Sequence, residues 1–181
     1  MEHPIYIIVA TDEKNGIGKN GRLPWKLKKE YKYFRETTCK TSDPGKQNMV
    51  IMGHRTWDSL PQAYQPLPGR KNIILTHDPK FKSAKDVTIC HSLDEAIALA
   101  DNNIEKIFII GGGKVFEEAI RNTRLTGIYL TKIHKTFDCD TFFPKIPAKF
   151  SETKKIGADE ENGIKYDYLV FANSASIIFS K

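Results

Sequence analysis

The chain has 181 residues, 40% apolar and 28% charged, with 28 basic and 22 acidic residues giving a formal charge of +6. That length suits one domain with a sizeable core. Apolar runs no longer than Ile5 to Ala10 exclude a membrane-spanning helix, which needs about 20 residues. Cys39, Cys90 and Cys139 are odd in number, widely spaced and in no CxxC pair, so neither a disulfide framework nor a metal site is expected. The start, MEHPIYIIVA, has no basic region before its apolar residues and no long apolar stretch, so the expected compartment is the cytosol. The basic surplus draws anions, whether nucleic acid or a phosphorylated cofactor. A basic tail, an RNP-like run and zinc-finger spacing are all missing from the sequence.

Taken in order, β-rich segments fall at 5–11, 48–52, 72–76, 87–90 and 106–110, nearly continuous in apolar character as strands buried on both faces are. Between them the periodicity predicts helices over 26–38, 55–60, 92–101 and 113–122, the third with Ser92 as N-cap and Glu95 three residues on as a capping box. Such alternation implies right-handed crossovers and a mainly parallel sheet with helices on both faces. After residue 125 the segments 127–134, 151–157 and 164–173 are strand-like without helices between them. The last two, joined across ADEENG, predict an antiparallel edge hairpin. The glycine-containing segments 11–24 and 39–47 are long for loops of a compact domain and are candidate lids. The tail SASIIFSK carries no clear signal.

Three strand ends invite an anion. IFIIGGGKVFEEA sets three glycines between a buried strand and a helix; VIMGHRTW ends a strand in Gly53 and begins a helix with His54, Arg55 and Thr56; ILTHD ends a strand with Thr76 and His77. In a doubly wound sheet such ends converge on one crevice. The standard dinucleotide fingerprint fails, because Phe116 stands at the third glycine position and Leu130 and Thr131 lie where an acid belongs. A P-loop fails as well, because Lys114 lacks the required glycine spacing.

A carboxylate in LPWKLKKEYKYFRETT is the oddest residue. At about 100° per residue Leu27, Tyr31, Phe34 and Thr38 form one stripe, with Lys28, Lys29, Lys32 and Glu36 opposite, and Glu30 falls on the apolar side. Burying an unpaired charge costs several kcal/mol (about 3–5), so a carboxylate placed there asks for a chemical reason.

Taken together, GIGKNGRLPW (16–25), Glu30 with Phe34, VIMGHRTWDSLP (50–61), PLPGRKNIILT (66–76), IFIIGGGKVFEEA (107–119) and DCDTFFP (138–144) resemble the dihydrofolate reductase family across nearly the whole chain. The resemblance implies an α/β fold with an eight-stranded, mostly parallel sheet, a C-terminal antiparallel hairpin and four helices. One domain over 1–181 would hold an adenosine-binding part at about 40–106. The implied reaction is NADPH-dependent reduction of 7,8-dihydrofolate to tetrahydrofolate, with hydride to pterin C6 and a proton to N5, in a monomer that antifolate inhibitors would also bind. It makes Glu30 the acid, Thr141 its hydrogen-bonding threonine and Trp25 the holder of a bound water, and counts Leu23 with them among the catalytic residues. Ile8, Val9, Tyr31, Phe34, Leu60, Pro61, Leu67 and Ile110 would wall the pterin and benzoyl rings, although without the resemblance they read as ordinary core. Arg70 would take the α-carboxylate of the glutamyl tail as a fork, and Arg35 is a candidate for a second carboxylate. Cofactor contacts would come from Ala10, Ile17, Gly18, Gly21, Leu23, Gly53, His54, Arg55, Thr56, Leu75, Thr76, His77, His91, Ser92, Gly111, Gly112, Gly113, Lys114, Val115 and Phe116, with a cis peptide at Gly111-Gly112.

Two departures stand out. Phe116 replaces a usual tyrosine, and His77 and His91 stand where arginine or lysine often meets the 2′-phosphate, which makes NADPH affinity pH-dependent by expectation because unperturbed imidazole loses its charge near 6.5. Two other readings stay open: a pterin- or pyrimidine-type reductase of the riboflavin pathway, which would not need Glu30, Arg70 and Thr141 together, and a basic nucleic-acid-binding module, faintly offered by KLKKEYKYFR.

Overall fold

Strand and helix alternate through the first two-thirds of the chain in a computed structural model that describes residues 3–82 and 87–173. The strands are β1 (Ile5–Thr11), β2 (Gly16–Gly18), β3 (Gln47–Gly53), β4 (Arg70–Leu75), β5 (Thr88–Cys90), β6 (Ile104–Gly111), β7 (Leu125–Ile133), β8 (Thr141–Phe142), β9 (Glu152–Glu161) and β10 (Ile164–Ala172). The helices are α1 (Lys28–Cys39), α2 (His54–Ser59), α3 (Leu93–Ala98) and α4 (Gly113–Ala119). The tail from 174 lies outside the described residues.

Eight strands form one sheet in the order β5-β4-β3-β6-β1-β7-β10-β9. From β5 to β7 every pairing is parallel, and β10 and β9 complete the sheet antiparallel. The expected class and the edge hairpin are both present. β2 and β8 pair as a separate short ribbon, too brief for alternation to reveal in sequence.

Both sheet faces are covered, and strand alternation divides the core between them. Ile5, Ile7, Val9, Met49, Ile51, Ile107 and Ile109 pack with Leu93, Ala96, Phe116 and Ile120 on the α3/α4 side. Ile8, Val50, Met52, Ile74 and Phe108 pack with Trp57 of α2 and Phe34 of α1 on the other. A third cluster, Trp25, Leu27, Ile133, Tyr166 and Tyr168, anchors the start of α1 over β7 and β10.

Three boundaries differ from expectation. Helices α3 and α4 stop short, α4 because its last amides, Arg121 and Asn122, turn back to Glu118 and Ala119. Ser92 caps α3 by accepting from the Glu95 amide at 3.1 Å, whereas the Glu95 carboxylate accepts from the His91 amide, one residue before the cap. The connection ADEENG is mostly strand: β9 runs to Glu161 and the turn is Asn162-Gly163 alone, with φ of 54° and 73°. An Asn-Gly pair with both φ positive matches strand twist and extends the ladder to its last residue.

The two long loops are tied down by carboxylates. Buried Asp12 accepts from the amides of Lys14, Gly16 and Phe137 at 2.7–2.9 Å, and Asp140 accepts from the Asn20 amide at 2.8 Å, binding 12–20 to 137–142. Glu105 accepts from the amides of Ser42 and Asp43. Lys106 and those amides hold its carboxyl down to about 2.

Gly127 of β7 faces Ala172 of β10, and a Cβ there would lie 2.7 Å from the Phe171 carbonyl oxygen, which is part of the β10 backbone. Gly127→Ala is expected to cost about 1–3 kcal/mol, read as a lower urea midpoint at unchanged slope; an unchanged midpoint would refute the close approach.

Candidate active site

Glu30 is the third residue of α1 and is only 6% exposed. The helix lies across β7 and β10 with Tyr33 over Tyr168, ring centroids 4.0 Å apart, which aims Glu30 at β7. There the buried Thr131 hydroxyl donates to Glu30 Oε1 at 3.3 Å. Among the described residues no cation pairs with Glu30. Burial pushes the carboxyl up to about 7, partly opposed by the Thr131 hydrogen bond.

This corrects the role expected of Thr141. Its hydroxyl donates to Asp140 at 2.9 Å, at the ribbon that closes the 12–20 loop, and so it does not serve Glu30. Thr131 does, because it sits on β7 between Ala10 of β1 and Tyr168 of β10, on the face that α1 covers. The signal was in the sequence: a hydroxyl within the apolar alternation of LTGIYLTKI.

Ile8, Phe34, Leu60, Leu67 and Ile110 share one cluster beside α1 and α2, so the structure brings these expected wall residues together. Val9 requires correction, since its side chain points through the sheet into the α3/α4 cluster, as strand alternation demands after Ile8. Tyr31 is more exposed than the stripe implied, at 41%, and its hydroxyl donates to the Trp25 carbonyl at 3.1 Å. Leu23 is half exposed; Pro61 and Arg35 are exposed. Trp25 is buried against Phe137, and its Nε1 has no partner among the described residues.

Arg70 is buried at 7% exposure and forms no ion pair among the described residues. Its guanidinium donates from Nη1 to the Thr38 hydroxyl at 2.8 Å and from Nε to the Pro68 carbonyl at 3.0 Å. Burial, then proximity to Arg35, pulls against its charge, with nearby Cys39 the opposing influence. An unpaired buried guanidinium still has donors for a planar anion.

The strand ends of β3 and β6 lie side by side, Met52 beside Gly111. A Cβ on Gly53 would lie 3.3 Å from Val115, and one on Gly112 would lie 3.2 Å from the Thr56 hydroxyl, so glycines here let the α2 and α4 starts approach. The Gly111-Gly112 peptide is cis as expected, and Gln65-Pro66 is cis as well. Phe116 is buried edge-on to Phe143 at 5.2 Å. Ala10 and Ile17 are partly buried, Gly18 is buried in β2, Gly21 has a φ of 73°, and Gly113 approaches Thr141. Leu75 and Thr76 are buried at the end of β4. His54 stacks near Phe81, and His77 and His91 lie with ring centroids 6.3 Å apart. The Nδ1–H of His91 donates to the Thr76 carbonyl at 2.8 Å, and the Ser92 hydroxyl is engaged as the α3 cap. Arg55 and Lys114 are exposed and form no ion pair among the described residues.

Residues 4–173 match a family model described as Dihydrofolate reductase. A dihydrofolate reductase of Drosophila melanogaster is 45% identical over 172 residues, covering 91% of this chain and 94% of that one. One of Aedes albopictus is 43% identical over 176 residues, covering 91% and 95%. A solved Schistosoma mansoni dihydrofolate reductase superposes with a TM-score of 0.81 at 34% identity, covering 96% of this chain and all of that one.

The Glu30 environment makes stability pH-dependent. Near pH 4 the carboxyl is protonated in both folded and unfolded chains. Between about 4.5 and 7 only the unfolded chain releases the proton, so stability falls as pH rises and levels off at a penalty of about 3 kcal/mol. Glu30→Gln is expected to match the parent near pH 4 and exceed it by about that amount near pH 8, measured by urea unfolding; a pH-independent difference would refute the assignment.

Proposed function

The chain belongs to the dihydrofolate reductase family, and on that premise we propose that it reduces 7,8-dihydrofolate to 5,6,7,8-tetrahydrofolate with NADPH, adding hydride to pterin C6 and a proton to N5. The observation that carries this reading is a buried carboxyl, met by one hydroxyl and by no cation among the described residues, on the helix that also packs Phe34 into the apolar cluster; burial pushes that carboxyl up to about 7. Such a group accepts N–H bonds from a pterin amino group and ring N3, and it retains a proton at the pH where the product must be protonated. Thr131 holds Oε1 of that carboxyl, and Trp25 offers its unpartnered Nε1 to a water on the proton's path. Ile8, Phe34, Leu60, Leu67 and Ile110 exclude water from the rings, with Tyr31, Pro61 and Leu23 at the rim. Arg70 takes the α-carboxylate of the glutamyl tail, and exposed Arg35 stands near it for a second.

NADPH supplies the hydride when bound, and the residues present suit it. Gly53, Thr56 and Gly111 to Phe116, where glycines let the starts of α2 and α4 approach, would hold the diphosphate, with Arg55, Lys114 and His54 beside them in sequence. Thr76, His77, His91 and Ser92, at the ends of β4 and β5, belong to the adenosine-binding part at about 40–106, with the histidines for the 2′-phosphate. Ala10, Ile17, Gly18, Gly21 and Leu23 would flank the nicotinamide, whose surroundings gain no hydroxyl from Phe116. Antifolates with a protonated diaminopteridine ring would use the same acid. No helix among the described residues is long and apolar enough to cross a membrane; a monomer in the cytosol completes the proposal.

Mixing the protein with NADPH and dihydrofolate should bleach the reduced nicotinamide absorbance. Glu30→Gln should lower turnover by about 100-fold or more while leaving NADPH affinity unchanged, and Arg70→Gln should raise KM for dihydrofolate by about tenfold or more. Unaltered turnover after the Glu30→Gln change would move the acid role elsewhere. His77→Gln and His91→Gln should each weaken NADPH affinity several-fold, and unchanged affinity in both would remove the histidines from phosphate recognition.

A further inference from the structure

Helix α1 has no capping side chain of its own, since Leu27 stands at its N-cap. Its first-turn amides are met from elsewhere. The N–H groups of Lys28 and Lys29 donate to Glu161 Oε1 and Oε2 at 2.9 and 3.0 Å, across more than 130 residues of sequence. Glu161 is the last residue of β9, beside the Asn162-Gly163 turn. Lys29 adds a second tie, its ammonium pairing with Asp159 and donating to the Glu160 carbonyl at 3.3 Å. The next residue in the chain is Glu30.

We propose that Glu161 is a positioning residue for the proton-bearing acid: by clamping the first turn of α1 from the hairpin tip, it keeps the Glu30 carboxyl against Thr131 and away from water. The inference rests on the functional reading above. A carboxylate at a helix N-terminus satisfies amides that otherwise need water and favours the helix dipole. Without it the first turn frays. Glu30 is the third residue of that turn, so water reaching it would return its carboxyl toward the ordinary carboxylate range.

The other groups around Glu30 are Tyr31 and Tyr33 on α1 and Tyr166 and Tyr168 on β10, phenols that burial raises further and that stay neutral through neutral pH. Asp159, Glu160, Lys28 and Lys29 lie at the junction itself. A pH profile therefore reports Glu30.

The test compares Glu161→Ala, which removes both contacts, with Glu161→Gln, which removes the charge but keeps one acceptor oxygen and so isolates any direct effect of that charge on Glu30. Turnover is followed across pH with NADPH affinity measured alongside. Expected for Ala are a several-fold lower kcat near pH 8, a profile moved to lower pH, unchanged NADPH affinity and faster amide exchange at 28–31, with Gln intermediate. Equal shifts in Ala and Gln would assign the effect to charge alone and overturn positioning, as would faster exchange with a profile superimposable on the parent. Should Ala fail to fold, a Gln profile shifted together with faster amide exchange at 28–31 supports the proposal, whereas a Gln profile identical to the parent's, or one shifted with exchange unchanged, overturns it. A parent protein inactive on dihydrofolate would instead overturn the functional reading on which it rests.

Discussion

A buried carboxyl group that, among the described residues, meets one hydroxyl and no cation sets the terms for the rest of the molecule. Desolvation alone raises its proton affinity to near neutrality. A lysine nearby would have stabilised the fold and lost that property, because a paired carboxylate gives up its proton early. The arrangement therefore trades stability for a group able to hold a proton where solvent carboxylates cannot. Everything around Glu30 serves this condition: a neutral donor from β7, phenols from β10, and a helix whose first turn is fastened from outside.

Helix α1 also links the two chemically distinct ends of the proposed substrate site. Glu30 lies near its start, and buried Thr38, near its end, accepts from Arg70. Eight residues of helix separate them by about 12 Å along the axis. A ligand with a hydrogen-bonding ring at one end and a carboxylate at the other matches that spacing, and the apolar residues between suit an aromatic middle. Two buried ionisable groups of opposite sign, one on α1 and one held against its far end from β4, neither neutralising the other, are hard to explain by folding alone.

Much of this was legible in the residues. Near-continuous apolar runs separated by helical periods reveal a two-sided sheet, and the stripe of α1 exposes the anomaly at Glu30 before any coordinates. The threonine partner departs from expectation for a definite reason: likeness of motif marks Thr141 without fixing which side chain reaches α1, whereas the period of two in β7 points Thr131 there. The same period, applied to β1, would have turned Val9 away from the site. The length of β9 was obscured by its acidic end, although Asn162-Gly163 marks a tight turn. Asp12 and Glu161 are different in kind. Besides its local amides Asp12 reaches one 125 residues away, and Glu161 reaches one 133 away; no local pattern announces an amide waiting across the fold.

Strand β7 does two jobs on opposite sides. Thr131 serves the interior acid, while the adjacent Lys132 reaches the other way, donating to the carbonyls of Asp12 and Glu13 and to the Asn15 side chain. Slide this strand by a single step and the two would exchange sides, delivering an ammonium to the acid and extinguishing its basicity. The frame of the ladder is thus a chemical safeguard as well as a structural one, and whatever fixes the count between β7, β10 and the Asn162-Gly163 bend also protects the proton.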